Sequence, residues 1–152
     1  MFVPRQGNEG SMPEIIRIGG LELRFLQSKE DGESSLDLFE MTVQPNARTP
    51  VAHHHTGWDE TVYGLAGVTA WQVGGDDIMM EPGHTVFIKR GIVHSFRNDT
   101  RESARCLCIL SPGILGPGYF RELAALFAGG TPDPVRMKET MLRHGLIPAP
   151  SP

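Results

Sequence analysis

The chain has 152 residues, 39% of them hydrophobic and 21% charged, with 18 glycines and 12 prolines. That length buries a core without disulfide or zinc staples, and the composition suits a turn-rich globular fold, not a disordered or helical-repeat chain. A formal charge of −4, a pI near 5.8 and no basic run longer than Lys89-Arg90 argue against nucleic acid or an anionic membrane surface as partner.

No apolar stretch approaches the roughly 20 residues of a membrane span. The first 14 residues lack the basic-then-apolar order of a secretory signal, so the expectation is a cytoplasmic protein without a membrane anchor. After this loose start, short β-like runs follow in order: IIRI (15–18), LELRFL (21–26), LDLFEMTV (36–43), VAHHH (51–55), ETVYGL (60–65), VTAWQV (68–73) and DDIMM (76–80). TVFIK (85–89), IVHSFR (92–97) and ARCLCIL (104–110) complete the series, and nearly every gap carries Gly, Pro, Asn or Asp. About ten strands with no helix between them predict an all-β sandwich or barrel over about 15–111. Beyond SPGILGPG (111–118), apolar residues at helical spacing (Phe120, Leu123, Ala124, Phe127) predict a short helix over about 118–128. A second follows over about 135–144, its apolar positions Val135, Met137, Met141 and Leu142 suited to packing across the mouth of the strands. No repeat or composition break divides residues 1–152, so one domain is expected.

The histidines demand a chemical explanation. A strand sends alternate side chains to opposite faces, so within VAHHH residues His53 and His55 point one way and His54 the other. The TGWD loop then allows the next strand to present Glu60 beside them, with Asp59 as the competing carboxylate. His94, after the Gly91 turn, can supply a third nitrogen. Three neutral imidazoles and one carboxylate suit a single divalent transition metal (Fe, Mn, Ni, Co, Cu or Zn) with one or two positions left open; Ca and Mg prefer oxygen ligands throughout. Phe96 shares the face of His94, and Val62 that of Glu60; with Phe39, Met41, Trp71 and Phe87 they are candidate linings of an apolar pocket. Cys106 and Cys108 share a strand face and are read as reduced core thiols. His54 and His84 are read as non-ligands, and Arg143 and His144 as solvent-facing.

Joint spacing strengthens the cluster. His53, His55, Glu60 and Gly67 satisfy HxH(x)4E(x)6G, which selects Glu60 over Asp59; Gly83, Gly91, His94 and Asn98 satisfy G(x)7G(x)2H(x)3N. At these two motifs the sequence resembles the cupin superfamily, departing from it at Lys89, where the family pattern usually has proline. The resemblance implies a cupin jelly-roll barrel with short C-terminal helices, His53, His55, Glu60 and His94 as metal ligands, and a homodimer built through an N-terminal strand. GHTVFIKRGIVHSFRNDTRESARCLCILSPG and the helix leading to DPVRMKETMLRHGL look like the single-domain cupins labelled quercetin-dioxygenase-like. That narrower likeness implies an oxygenase acting with O2 on a small enolisable or aromatic molecule, with Glu60 also available as general base. The alternatives are a non-catalytic metal-assisted binding or sensing barrel, and a non-oxidative isomerase or lyase.

Overall fold

The structure, a computed structural model, describes residues 12–32 and 35–150. Most of the loose N-terminal start, residues 1–11, lies outside the described residues. The strands run β1 (Glu14–Ile18), β2 (Leu21–Gln27), β3 (Asp37–Val43), β4 (His53–His55), β5 (Asp59–Ala66), β6 (Thr69–Val73), β7 (Asp76–Met80), β8 (Thr85–Ile88), β9 (His94–Arg97) and β10 (Ala104–Ser111). Helices α1 (Pro117–Phe127) and α2 (Pro134–Arg143) follow, then a last short strand β11 (Leu146–Pro148).

The strands alternate as their sequences require. β3 and β10 bury every second side chain, so Phe39, Met41, Cys106, Cys108 and Leu110 face inward. All pairing between named strands is antiparallel. One sheet has the order β1-β2-β3-β10-β5-β8 and the other β11-β4-β9-β6-β7, with the core between them.

Two expectations are corrected here. The strands do not close into a jelly-roll barrel: they form two open sheets, with β1 and β8 as edges of one and β7 and β11 as edges of the other. Alternation of apolar and polar residues is the same in an open sandwich and a closed barrel, so the sequence pattern could not decide closure. Nor is the fold all-β. It is a mixed α and β structure, because the helices are not appendages: Tyr119, Leu123, Met137 and Met141 are all buried in the common core. Phe120 of α1 completes an aromatic cluster with Phe25 and Phe39, its ring centroid 5.6 and 5.5 Å from theirs. Val135 and Leu142, at 63% and 49% exposed, lie on the outward face of α2.

Local signals fix the helix ends. Pro117 and Pro134 open the two helices, and the Asp133 carboxylate accepts the Val135 N–H at 2.9 Å. Glu122 of α1 accepts from Arg143 at 2.7 Å and also contacts His144, tying α1 to the end of α2; Arg143 stays exposed, whereas His144 is partly buried. Arg121 binds Glu14 and Glu30, fastening α1 to β1 and to the short 3-10 turn at Lys29–Asp31. Among the described residues, no helix is long and apolar enough to cross a membrane.

Candidate metal centre

The three histidines converge from one sheet, and Glu60 approaches them from the other. β4 provides His53 and His55, β9 provides His94 directly across from His53, and β5 of the opposite sheet provides Glu60. Strand parity places His54 away from them, opposite Ile147 of β11. The loop after His55 carries the chain from one sheet to the other. It is held by the Gly91 N–H, which donates to the His55 carbonyl at 2.8 Å, and by Arg90, which donates to Asp59 from both backbone and side chain. Asp59 is therefore engaged with Arg90, which holds its pKa down at about 2.

The motif glycine Gly67 has φ +66, and a Cβ there would meet the Ser103 carbonyl oxygen at 2.7 Å. Only glycine fits that turn without strain. The motif asparagine is structural as well. Asn98 is fully buried and donates to the carbonyls of Val43 and Glu102, while its Oδ1 accepts from the Thr100 backbone and hydroxyl. It pins the β9–β10 connection and leaves no group for a ligand. Lys89, where the family pattern has proline, closes its turn through its carbonyl, which accepts from Ile92 at 3.1 Å.

The histidine tautomers follow from their partners. Nδ1 of His53, His55 and His94 lies 2.7, 2.9 and 3.0 Å from the carbonyl oxygens of Val51, Trp58 and Ile92. A carbonyl can only accept, so each Nδ1 carries the hydrogen and each neutral ring leaves Nε2 bare. Burial, helped by neighbouring His94, pushes the His53 pKa down to about 4; burial likewise lowers that of His94. The rings of His53 and His94 are therefore neutral near pH 7.

Glu60 Oε1 sits 3.3 Å from Nε2 of His55 and 3.8 Å from Nε2 of His94. With both nitrogens bare, these are lone pairs facing lone pairs, an arrangement that a cation between them stabilises. The ligating nitrogens of His53, His55 and His94 lie within 4.8 Å of one another. The donor set thus fits a metal, and the three-histidine cluster is capable of coordinating a single divalent ion.

A cavity of roughly 90 Å³ adjoins this cluster. Of the side chains expected to line it, Phe39, Met41, Trp71 and Phe96 do so. Val62 and Phe87 do not: Val62 packs in the core, in register with Val86 and Cys108, and Phe87 points to solvent with 62% exposure. β8 turns its odd residues outward, a parity the sequence left open. Cys106 and Cys108 are free buried thiols 3.8 Å apart, and Cys108 reaches the cavity wall. His84 lies in its turn, within 3.3 Å of the Glu81 N–H.

Sequence reasoning missed the far wall, which comes from Leu115, Tyr119, Phe120, Leu123, Met137 and Met141. Their signal was the apolar stripe of the two helices. It also missed Trp58, whose indole stacks on His55 at 4.6 Å and whose carbonyl fixes that ring's tautomer. No Lys or Arg lines the cavity among the described residues.

Residues 39–110 match the family model described as cupin domain. Quercetin 2,3-dioxygenase of Bacillus subtilis (strain 168) is 24% identical over 128 residues, covering 80% of this chain and 37% of that protein, so the chain spans little more than a third of that relative's length. Among solved structures, the polyketide cyclase RemF from Streptomyces resistomycificus is 27% identical, with a TM-score of 0.58 over 72% of this chain and 80% of its own. A predicted oxalate decarboxylase from Thermotoga maritima is 24% identical, with a TM-score of 0.59 over 74% of this chain and 99% of its own, a likeness of fold alone.

Proposed function

From the match of residues 39–110 to the cupin domain model, we propose that the chain captures one small, uncharged, largely apolar molecule through that molecule's oxygens, and acts on it without oxygen as co-substrate. The observation that carries this reading is the pairing of one compact donor set with an apolar cavity that no Lys or Arg lines among the described residues. In this reading His53, His55, His94 and Glu60 are all ligands, and a divalent ion held there would supply Lewis acidity toward a substrate carbonyl or enol oxygen. The protein's part is positional and protonic. Three backbone carbonyls lock the imidazoles so that Nε2 faces the site. The apolar wall from Phe39 to Met141 excludes water. Glu60 is the one carboxylate at the cavity among the described residues, and it takes or returns the proton at the carbon beside the bound oxygen.

The likeness to quercetin 2,3-dioxygenase covers too little of that enzyme to select oxygenase chemistry, and the cyclase at 27% identity favours a reaction that rearranges a carbonyl compound over one that oxidises it. The test is anaerobic. Protein loaded in turn with Zn, Mn, Fe, Co or Ni is offered small hydroxyketones in deuterated water, and deuterium entry beside the carbonyl is followed by NMR. Catalysed exchange that disappears in Glu60→Gln is expected. Turnover that starts only on admitting oxygen, with uptake matching product, would overturn the reading. Measurable affinity without exchange would select the non-catalytic binding form of the same site.

A further inference from the structure

Two polar hydrogens in the wall of the metal cavity have no acceptor among the described residues. The Trp58 side chain is 2% exposed, lines the cavity, and its Nε1 is buried without a hydrogen-bond partner. Tyr119 of α1 is 3% exposed and lines the same cavity; its hydroxyl forms no hydrogen bond with the described residues, and burial alone holds it in the protonated form. Buried indole N–H and phenol O–H groups ordinarily find partners. The contrast lies in the same cavity: the other indole, Trp71, donates from Nε1 to the Thr69 hydroxyl at 2.9 Å.

Packing does not require these hydrogens. A phenyl ring stacks on His55 as an indole does, and phenylalanine fills the place of Tyr119 without bringing an unpaired hydroxyl into an apolar wall. The polar atoms are therefore accounted for by something that enters the cavity with acceptors of its own. A small uncharged oxygenated compound suits the surrounding side chains, since an anionic tail would find no cation in the lining among the described residues.

We propose that Trp58 and Tyr119 are the specificity-determining donors of this site, giving hydrogen bonds to oxygens of a small uncharged ring or chain compound seated at the histidine cluster. The inference rests on the reading of the cavity as a ligand site. A site built this way rejects a hydrocarbon analogue far more strongly than an apolar pocket can, because the analogue leaves the Trp58 and Tyr119 donors unpaired. Trp58 then serves the site in two ways, its carbonyl and ring face fixing His55 and its indole N–H reading the ligand.

The probe is maltol, a flat single ring with vicinal oxygens and a further ring oxygen, titrated into the zinc-loaded full chain labelled with nitrogen-15. The two indole signals are assigned with Trp58→Phe and Trp71→Phe. On saturation the Trp58 indole proton is expected to move downfield and to exchange more slowly with water, while the Trp71 signal, already bonded, stays in place. Trp58→Phe and Tyr119→Phe are each expected to weaken maltol binding about tenfold while zinc content stays at the wild-type level. Maltol binding that leaves the Trp58 signal unmoved overturns this inference alone. So does a contact between that N–H and a long-lived water that persists at saturation. Failure of maltol to bind the zinc-loaded protein at all overturns the inference together with the reading on which it rests.

Discussion

Replacing Glu60 by Gln is expected to change stability in opposite directions with and without metal. In the metal-free protein, Glu60 Oε1 faces the bare Nε2 of His55 at 3.3 Å and of His94 at 3.8 Å. An amide in the same place can turn its NH2 toward those nitrogens and convert a repulsion into at least one hydrogen bond, worth about 1 kcal/mol net. For a chain of this length, about 1 kcal/mol corresponds to roughly 2–4 °C in Tm, so metal-free Glu60→Gln should melt higher than metal-free wild type by about that much. With zinc at roughly 100 times the wild-type Kd, linkage adds about 2.7 kcal/mol to wild type, or roughly 5–11 °C. If loss of the carboxylate weakens binding about 100-fold, the same zinc adds only about 0.4 kcal/mol to the variant. Thermal melts of both proteins in chelator and in excess zinc therefore cross: the variant is ahead without metal and behind with it. A variant that melts below wild type in chelator, or gains as much as wild type from zinc, would refute the tautomer assignment and the place of Glu60 at the ion.

Elemental analysis gives a parity test: His54→Ala should retain the wild-type metal content, whereas His53→Ala should lose most of it, since the two side chains leave opposite faces of β4. Met141, 1% exposed, should cost about 2–5 kcal/mol on truncation to Ala, read from urea midpoints, and a loss below about 0.5 kcal/mol would mean that α2 is not part of the core. Asp37 is fully buried, accepts the Gly116 N–H at 3.1 Å with one oxygen and leaves the other unpaired; burial pushes its pKa up, with the N–H groups of Gly116 and Leu115 and the charge of Lys29 only partly offsetting it. For an acid whose folded pKa is raised, the folded state binds the extra proton, so stability falls as pH rises from the ordinary carboxylate value through the folded one. Asn cannot ionise and escapes that loss. The urea midpoint of wild type minus that of Asp37→Asn should therefore fall as pH rises from about 4 to 7, and a difference that grows in favour of wild type with rising pH would reverse the assignment.

The strands were legible because their inward positions repeat every second residue and their turns carry Gly, Pro or Asn; each run read from the sequence corresponds to an observed strand, with ends shifted by a residue or two. β11 was not legible, being three residues long, ending in Pro148 and having meaning only as the partner of β4. The metal cluster could be read because His53 and His55 obey the same alternation that builds the sheet. Register across sheets could not, and it decides which large residues see the cavity: Phe87 and Phe96 look alike in sequence, yet one faces water and the other lines the site. Trp58 was passed over because it lies in a loop, where no periodicity says which way a side chain points.

Charge decides among the ligands that such a cavity can take. In the proposed site a divalent ion brings two positive charges and Glu60 removes one, while the imidazoles, neutral with their protons committed to backbone carbonyls, contribute none. One positive charge remains for the ligand to balance. An enol that ionises on arrival balances it and leaves the buried site neutral. A dianion such as oxalate, or a phosphate, would leave a negative charge uncompensated among Phe39, Trp71, Phe96 and Met141, with no Lys or Arg in the lining among the described residues. An unpaired buried charge costs several kcal/mol, enough to lower affinity by orders of magnitude. Inhibition constants for a neutral enol and for oxalate should therefore separate strongly in favour of the enol, whose proton must leave the cavity for the site to end neutral, because its transfer to Glu60 would restore the single positive charge.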